Sequence, residues 1–449
     1  MKVNVIFELP DAVKKILNKL TGAGYPSYVV GGCVRDQFMG RTPNDWDVTT
    51  SARPDEMKRV LGEWKLLDTG LKHGTITVLL DQSMVEVTTF RVDGAYTDNR
   101  HPDEVFFTTK LEDDLARRDF TINALAYHPD SGVIDCFGGV EDLNRKLIRC
   151  VGEPDRRFQE DGLRILRALR FASILGFSIE KQTSDSIFRN ASLLNGIANE
   201  RIREEFTKLL CGNDAVTVLR KYQPVIGCFL PELNAMIQFP QRNPYHCYDV
   251  WEHTLNALEH TADNPVLRMA VLLHDSGKPA CHTRDENGID HFHGHGEKSR
   301  EIAHKVLRRL RFDNNTIRQI EILVEAHDIA LPADRKILLH RLNRFGETNL
   351  SLLFQIKEAD IQAQNPDYWS RLNELNEAKK LLEQILFQKL CFRLKDLAIN
   401  GSDLIKLGIL PGPNIGRILN RLLDEVLDGT CENQRGALMR RAEEIRTEK

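Results

Sequence analysis

Two acidic residues near the start of the chain have the spacing of a metal-binding pair. Asp45 and Asp47 are separated by one residue and lead into Val48-Thr49-Thr50, which is typical of a β-strand. Because residues two apart on a strand point to the same face, both carboxylates are expected to converge on one spot. Carboxylate oxygens suit Mg²⁺, which is usually held by a few carboxylates together with substrate phosphates. The pair therefore predicts a magnesium site that acts on phosphates.

The segment before this pair has the features of a phosphate-binding turn. Tyr28-Val-Val30 is typical of a buried strand, Gly31-Gly32 interrupts it, and residues 34–39 predict a short helix that ends at Gly40. A glycine turn that opens a helix offers free N–H groups to a phosphate, and Arg35 adds a fixed positive charge. Each feature alone is common in turns and strand ends. Their order along the chain predicts a nucleotidyl-transfer site.

A third acidic residue has two interpretations. Alternating patterns predict strands over residues 74–80 and 84–91. On the second strand, Glu86 points away from the face of Val85 and Val87. Glu86 is therefore either a third acidic group beside the metal pair or an edge-strand carboxylate in water, and the sequence leaves both open.

Residues 117–127 begin with charged side chains and continue with a pattern that predicts a helix. Arg118, Asp119 and Asn123 fall within one or two turns of that helix. They are expected to share a face that can turn toward a nucleotide.

A polar stripe marks residues 158–171. Asp161, Arg164, Arg167 and Arg170 recur every three residues, while the apolar residues between them form a buried face. An Asp and an Arg one turn apart offer an acceptor and a planar donor fork, which are the groups needed to hydrogen-bond the edge of a base. The same stripe is also typical of a helix surface with many ion pairs, and the residues alone favour that interpretation.

Length and composition exclude several classes of protein. The chain has 449 residues, enough for two to four domains, and 61 basic against 65 acidic residues give a net charge of −4. Any RNA binding must therefore come from local basic patches. No apolar run approaches the length of a membrane span, and the N-terminus lacks a secretory pattern, so we expect a cytoplasmic protein. The nine cysteines include no Cys-x-x-Cys pair, which argues against a zinc knuckle or a disulfide framework.

A second set of residues in the middle of the chain combines imidazoles and carboxylates. Its members are His246, His253, His274, Asp275, His291, His293, His295, His327 and Asp360. Neutral imidazole and carboxylate together suit a divalent transition metal, and helices can point such side chains inward. A single buried histidine is more often a hydrogen-bonded core residue.

Four motifs in a fixed order resemble those of a known family. They are Val30-Gly-Gly-x-Val-Arg-Asp36, Asp45-x-Asp47, Arg117-Arg-Asp-Phe-Thr-Ile-Asn-Ala124 and Glu160-Asp-x-x-Arg164. They resemble the motifs of class II tRNA nucleotidyltransferases, the bacterial-type CCA-adding enzymes of the poly(A) polymerase family. Residues 72–75, 88–91, 200–205 and 401–416 are also similar to that family. The resemblance covers essentially the whole chain.

The resemblance implies an α+β fold with four parts. A polymerase-β-like nucleotidyltransferase head with a mixed sheet would span residues 1–142. An all-α neck (143–222), an HD-type body (223–370) and a helical tail (371–449) would follow and bind the acceptor arm and 3′ end of tRNA. No DNA or membrane partner is expected.

The resemblance also implies roles for residues of the head. Asp45 and Asp47 would hold catalytic Mg²⁺ ions that activate the tRNA 3′-hydroxyl and stabilise the leaving pyrophosphate. Gly32, Arg35 and Arg118 would contact the triphosphate of the incoming CTP or ATP.

Further roles fall on the neck and on one loop. Asp161 and Arg164 would act as an amino-acid template that pairs with C or A, and Arg167 and Arg170 would add phosphate or sugar contacts. The polar loop over residues 93–101 is similar to the flexible loop that is thought to help this family switch from CTP to ATP.

The histidine and aspartate set resembles the metal site of HD-domain phosphohydrolases. His253, His274, Asp275 and Asp360 match the core ligands, and His295 and His327 resemble the additional histidines of two-metal sites. A second divalent metal (Ni, Mn, Co or Fe) is implied. Some tRNA nucleotidyltransferases carry such a domain with phosphatase or cyclic-phosphodiesterase activity, whereas in others it may serve as a structural body.

Three functions are consistent with the sequence. The first is addition or repair of the tRNA 3′-terminal CCA with CTP and ATP. The second keeps the fold but restricts the chemistry to A addition or poly(A) synthesis. The third assigns the main activity to the HD site as a metal-dependent phosphohydrolase with an RNA-binding head. The intact Asp45 and Asp47 favour the first two over the third.

Overall fold

The computed structural model describes residues 2–3, 7–94 and 104–447. The chain folds as two compact units, Met1–Phe229 and Leu230–Lys449. Most of the loop predicted to assist nucleotide switching (residues 95–101) lies outside the described residues. No helix in the described part of the chain combines the length and apolar character needed to cross a membrane.

The first unit is built around a mixed sheet. Its described strands are β1 Lys2–Val3, β2 Ser27–Val30, β3 Asp47–Thr50, β4 Lys65–Gly70, β5 Thr75–Leu80, β6 Ser83–Thr89, β7 Arg91–Asp93, β8 Val105–Phe107, β9 Leu125–His128, β10 Gly132–Asp135, β11 Leu147–Ile148 and β12 Ser178–Ile179. Eight of them form one sheet in the order β1-β10-β9-β2-β3-β6-β5-β4. The β3–β6 pair is parallel and the other neighbours are antiparallel.

Helices cover the sheet and make up the rest of this unit. They are α1 Asp11–Gly22, α2 Gly32–Phe38, α3 Pro54–Leu61, α4 Leu111–Ala116, α5 Gly139–Asn144, α6 Pro154–Glu160, α7 Leu163–Leu175, α8 Lys181–Asn190, α9 Asn199–Leu210, α10 Ala215–Lys221 and α11 Gln223–Phe229. Ile16, Leu17 and Leu20 recur at helical spacing in α1 and are fully buried where α1 packs on α3 and the sheet. Burying each such side chain contributes about 1.5–3 kcal/mol.

The second unit is almost entirely helical. Its helices are α12 Val250–Glu259, α13 Pro265–Leu273, α14 His295–Arg309, α15 Asn314–Ala326, α16 Arg335–Gln362, α17 Arg371–Phe387, α18 Gly401–Lys406, α19 Pro413–Leu427 and α20 Arg435–Thr447, and β13 Thr283–Arg284 pairs with β14 Asp290–His291. Helix α16 bends sharply at Gly346, whose φ of 72° is non-helical. The predicted fold class, a polymerase-β-like head with a mixed sheet followed by helices, is confirmed.

The helix predicted over residues 117–127 is wrong. After α4 the chain bends at Arg117–Phe120, makes one 3₁₀ turn at Thr121–Asn123 and then enters β9. Strand β9 lies between β10 and β2, and all its residues are buried. Pairing on both edges and burial on both faces therefore outweigh local helix propensity.

Two other expectations about local structure need correction. Asp45 lies in a bend and β3 begins only at Asp47, because its partner β2 ends at Val30, where Gly31 turns the backbone away with a φ of 84°. The polar stripe is not one continuous helix. Asp161, with an extended φ of −147°, separates α6 from α7.

Candidate active site

The acidic residues of the head meet at one edge of the β3–β6 pair. Asp47 is the register partner of Glu86 across these parallel strands. The following residues, Val48 and Val87, are also partners and are buried, so Asp47 and Glu86 share the opposite, exposed face. Asp45 is exposed in the bend just before β3. The carboxylates of Glu86 and Asp45 both interact electrostatically with that of Asp47, although Asp45 lies in a bend rather than on a strand.

The charge around Asp47 suits a bound cation. Partial desolvation raises the pKa of Asp47, and the neighbouring carboxylates of Glu86 and Asp45 raise it further, while Arg118 opposes them. Neighbouring negative charges disfavour the ionised form of a carboxylate, and a cation bound between the carboxylates favours it. Two or three such oxygen donors are the set that Mg²⁺ uses beside substrate phosphates, so these residues fit the predicted ion.

Gly31 allows an arginine to approach the turn between β2 and α2. A Cβ at this position would lie 2.8 Å from Nη1 of Arg118. Its φ of 84° also lies in the region that disfavours other residues. Gly32 begins α2 directly after it. The predicted phosphate turn therefore brings the guanidinium of Arg118 against its backbone.

Arg118 is held by Asp114, a residue that the sequence analysis missed. Asp114 is fully buried and accepts hydrogen bonds from Arg117 Nε at 2.9 Å and Thr49 Oγ1 at 3.2 Å. Arg118 Nη2 lies 3.5 Å from its Oδ2. Burial raises the pKa of Asp114, but Arg117 and Arg118 outweigh burial and hold the pKa below its ordinary value. Arg117 and Arg118 follow Asp114 by three and four residues, the spacing at which side chains on a helix pair, and this spacing could have indicated the contact from sequence.

A chain of polar contacts links Arg35 to helix α7. Arg35 Nη1 donates to Asn123 Oδ1 at 2.7 Å, and Asn123 Nδ2 donates to Asp119 Oδ1 at 3.1 Å. The other oxygen of Asp119 accepts from Arg167 Nε at 2.8 Å. Burial raises the pKa of Asp119, but Arg167 and Asn123 outweigh it and hold the pKa well below its usual range. Asp119 and Asn123 are thus buried connectors between the two arginines.

Helices α7 and α9 form a second part of this network. Arg170 Nε donates to Glu205 Oε2 at 2.6 Å, and Arg167 Nη1 lies 3.7 Å from Glu205 Oε1. The guanidinium groups of Arg35, Arg167 and Arg170 surround the Phe171 ring at 5.1, 5.6 and 4.0 Å from its centroid. Each of these arginines also pairs with a carboxylate, of Asp36, Asp119 and Glu205 respectively, so the Phe171 ring lies within a network of ion pairs.

The two residues predicted to pair with a base each have an ion-pair partner. Asp161 Oδ2 accepts from Arg201 Nη2 at 2.8 Å, and Arg164 Nη1 donates to Glu160 Oε2 at 2.7 Å. Arg164 is buried. Asp161 Oδ1 also accepts from the backbone N–H of Leu163 at 3.0 Å, which fixes the start of α7. Both side chains are therefore held in one orientation by partners from α6 and α9.

Six residues of the second unit, five of them buried and one partly exposed, form what is called here the histidine–aspartate cluster. They are His253, His274, Asp275, His295, His327 and Asp360. Ligand atoms of His253, His274 and Asp275 lie within 4.8 Å of one another, as do those of Asp275, His295 and His327. His253 Nε2 is 3.0 Å from Asp360 Oδ1. The structure thus brings together all the residues that the HD resemblance implied.

The hydrogen bonds of this cluster leave its imidazoles ready to bind a cation. In His253, His274, His295 and His327, Nδ1 lies 2.6–3.3 Å from a backbone carbonyl oxygen, to which it must donate its proton. In a neutral ring that makes this hydrogen bond, the lone pair is on Nε2. Nε2 of His295 and Nε2 of His327 face each other at 3.1 Å, and Nε2 of His274 has no hydrogen-bond partner among the described residues. Facing lone pairs beside buried carboxylates fit a metal ion.

Lys278 is a further charged residue of this cluster that the sequence did not single out. Its ammonium lies 2.6 Å from Asp275 Oδ2 and donates to Gln241 Oε1 at 2.7 Å. Burial raises the pKa of Asp275, but His274 and Lys278 outweigh it and hold the pKa well below its ordinary value. Asp275 is therefore an ionised carboxylate at neutral pH.

Comparison with known proteins identifies the family. Three family models match this chain. The model of the poly(A) polymerase head domain matches residues 27–149, and the model of a probable RNA- and SrmB-binding site of polymerase A matches residues 176–224. The model of a putative tRNA nucleotidyltransferase domain 2 matches residues 292–442. The CCA-adding enzyme of Limosilactobacillus reuteri is 35% identical and covers 100% of both chains. This chain belongs to the CCA-adding enzyme family. The CCA-adding enzyme of Pediococcus pentosaceus is 32% identical to this chain, over 96% of this chain and 97% of the Pediococcus enzyme.

Solved structures agree with this membership. The CCA-adding enzyme of Bacillus stearothermophilus in complex with CTP has a TM-score of 0.71 at 28% identity and covers 98% of both chains. That of Thermotoga maritima with tRNA has a TM-score of 0.60 at 22% identity, with 98% of this chain and 96% of that chain covered, and shows the shared fold. As a nucleotidyltransferase of the CCA-adding family, the protein is an enzyme that depends on a divalent metal.

Proposed function

We propose that this protein adds or repairs the 3′-terminal CCA of tRNA with CTP and ATP. The observation that carries the proposal is the set of three carboxylates, with Asp47 and Glu86 in register and Asp45 beside them, near the guanidinium of Arg118. Membership of the CCA-adding family over the full chain supports the tRNA substrate and the two nucleotides. A tRNA substrate in turn supports a cytoplasmic location.

In this proposal the head carries out phosphoryl transfer. The 3′-oxygen of the tRNA attacks the α-phosphorus of the nucleotide, and pyrophosphate leaves. Asp45 and Asp47 would hold Mg²⁺ with Glu86 beside them, and Mg²⁺ bound there would lower the pKa of the attacking hydroxyl and stabilise the leaving pyrophosphate. Arg35 and Arg118 neutralise triphosphate charge while the Gly31-Gly32 turn lets the phosphates approach the backbone.

The neck would select the base. The carboxylate of Asp161 can accept a hydrogen bond from the amino group of C or A, and the guanidinium of Arg164 can donate to a ring or carbonyl acceptor. Their ion pairs with Arg201 and Glu160 orient both side chains before a nucleotide binds. Arg167 and Arg170 remain candidates for phosphate or sugar contacts. The division into a head (1–142), neck (143–222), HD-type body (223–370) and tail (371–449) belongs to the same proposal.

A test of the template uses one variant and a matched control on helix α6. We expect Asp161→Ala to lose discrimination of CTP and ATP against UTP and GTP by about tenfold or more, as expected for loss of a hydrogen bond to a base. Asp155→Ala removes a half-exposed carboxylate of the neighbouring helix α6 that pairs with Arg189, and selectivity should not change. Unchanged selectivity in Asp161→Ala would refute the template role.

Substrate specificity is tested with tRNAs that end before the first C, after CC and after CCA. Each is incubated with Mg²⁺ and labelled CTP or ATP, and the products are resolved at single nucleotides. The proposal predicts completion of CCA from the first two tRNAs and no extension of the third. Addition of A alone to the CC-ended tRNA would instead identify an A-adding enzyme, and long A tails a poly(A) polymerase.

The histidine–aspartate cluster supports a second activity, an accessory metal-dependent phosphohydrolase. The facing Nε2 atoms of His295 and His327 are the observation that favours it. A divalent transition metal such as Ni, Mn, Co or Fe would polarise a phosphate ester and activate water. Metal analysis of the purified protein tests this directly. We expect a bound transition metal that is lost in His274→Ala, and a protein that retains none under metal-replete conditions would contradict the proposal.

A further inference from the structure

Helix α4 ends directly before the arginine that lies beside the turn between β2 and α2. Its last residue is Ala116, and Arg117 and Arg118 follow. The carbonyl groups in the last turn of a helix have no partner within the helix and need a donor from elsewhere. Arg157 of α6 supplies one, because its Nη2 donates a hydrogen bond to the carbonyl oxygen of Ala116. Arg157 therefore completes the end of the helix that leads to Arg118.

The same guanidinium has two further acceptors. Arg157 Nε donates to the carbonyl oxygen of Val151 at 2.8 Å, and Nη1 donates to Glu160 Oε2 at 2.7 Å. Val151 in turn donates its backbone N–H to the carbonyl oxygen of Asp119 at 3.1 Å. The side chain of Arg157 is only 14% exposed. Each of its three nitrogens thus has a different acceptor, an arrangement that needs the planar fork of an arginine and that a lysine ammonium does not reproduce.

Glu160 joins this arginine to Arg164. Arg164 Nη1 donates to the same Oε2 of Glu160 at 2.7 Å and to the carbonyl oxygen of Arg157 at 3.1 Å, and Arg164 Nη2 donates to the carbonyl oxygen of Arg117 at 3.4 Å. Burial raises the pKa of Glu160, but Arg164 and Arg157 outweigh it and hold the pKa below its ordinary value. An ionised carboxylate therefore links two guanidinium groups, and these hold two consecutive carbonyl groups directly before Arg118.

We propose that Arg157 is a positioning residue that fixes Arg164 relative to Arg118. The inference rests on the proposed function, in which Arg164 pairs with the base and Arg118 holds the triphosphate of the same nucleotide. A base paired with Arg164 places its α-phosphate correctly only when the end of α4 is held at a fixed distance from α7. Arg157 contacts protein groups in this arrangement, so its loss should impair the use of a bound nucleotide more than its binding.

The test replaces the guanidinium fork and keeps the positive charge. We expect Arg157→Lys to lower kcat for CTP on a tRNA that lacks CCA about tenfold and to lower discrimination against UTP by a similar factor, with KM changed less than about threefold. Discrimination is the ratio of kcat/KM for two nucleotides on one sample, so partial unfolding of a variant does not alter it. Circular dichroism reports the folded fraction separately.

The neighbouring arginine of α6 provides a matched control. Arg156 Nε donates to the other oxygen of Glu160 at 3.2 Å, and its side chain is 81% exposed. Arg156→Lys should keep both kcat and discrimination. An equal loss in Arg156→Lys would overturn the inference, because a contact with Glu160 would then be enough to explain the effect.

A double variant tests whether Arg157 acts through Arg164. If it does, Arg157→Lys/Arg164→Lys should discriminate no worse than Arg164→Lys alone, whereas losses that multiply would show that the two arginines act independently and would overturn the inference. Unchanged discrimination in Arg157→Lys, together with its loss in Arg164→Lys, would refute the positioning role and leave the template role intact. Full discrimination in Arg164→Lys would refute the template role itself and this inference with it.

Discussion

Asp114 connects β3, the strand that begins at Asp47, to Arg118 beside the turn between β2 and α2. It contacts Thr49, two residues after Asp47, and it holds Arg117 and Arg118. We assign it a positioning role, since the contacts identified for it are with these protein groups.

Replacing Asp114 should therefore affect nucleotide binding more than the chemical step. We expect Asp114→Asn to raise KM for CTP and ATP about tenfold with a smaller change in kcat, because a charged hydrogen bond that orients Arg118 is lost. Steady-state kinetics measure both constants. Glu112→Gln changes an exposed carboxylate of the same helix and serves as the control. A fall in kcat with unchanged KM would contradict the positioning role.

Asp119 gives the head a specific response to acid. Its pKa in the folded protein is below that of the unfolded chain, which is about 3.9. Its stabilising contribution is therefore complete above about pH 4 and is lost as the pH falls further. We expect the free energy of unfolding to fall more steeply below about pH 4 in the original protein than in Asp119→Asn. Urea unfolding at a series of pH values measures this, and equal slopes would refute it.

At the scale of elements, the turn between β2 and α2 combines backbone strain with a close contact. Gly31 and Gly40 both have positive φ, 84° and 69°, but only the Cβ of the first would meet a neighbour, Arg118, within 4 Å among the described residues. Substitutions at the two glycines therefore distinguish the cost of backbone strain from the effect of displacing Arg118.

We expect Gly40→Ala to lower the free energy of unfolding by about 1 kcal/mol and Gly31→Ala to lower it by more, because the φ of 84° and ψ of −132° at Gly31 lie outside the left-handed helical region and its Cβ would meet Arg118. Only Gly31→Ala should also raise KM for CTP, because its new methyl group displaces the Arg118 guanidinium. Thermal unfolding and nucleotide titrations of both variants provide the measurements. A rise in KM with Gly40→Ala, or none with Gly31→Ala, would show that the arginine contact is not needed.

Regular local patterns allowed most elements around the site to be predicted. The strand predicted at Asp47 and the residues after it corresponds to β3, and the alternation around Glu86 corresponds to β6. The Gly-Gly break corresponds to the β2–α2 turn. The helix over 117–127 failed because β9 is stabilised by two partner strands that local sequence does not reveal. The prediction that Asp45 lies on a strand failed because the partner strand β2 ends at Val30, and this end, which local sequence does not reveal, determines where β3 begins.

At the scale of the molecule, long-range ion pairs were the part that could not be predicted. Asp119 pairs with Arg167, Asp161 with Arg201 and Arg170 with Glu205, at separations of 48, 40 and 35 residues. Charged residues are common throughout the chain, so no spacing rule selects these partners. The histidine–aspartate cluster was predicted in full, but only by resemblance to a family. Its residues come from separate helices and helix ends between residues 253 and 360.

Two double variants, assayed on one labelled tRNA that lacks CCA, test directly whether the head carboxylates carry out CCA addition. We expect Asp45→Asn/Asp47→Asn to reduce CTP incorporation by about a thousandfold or more, since catalytic metal ions contribute several kcal/mol. His274→Ala/Asp275→Asn should complete CCA at a rate close to that of the original protein, with circular dichroism confirming that both variants are folded. Loss of CCA synthesis only in the second variant, with activity retained in the first, would contradict the account.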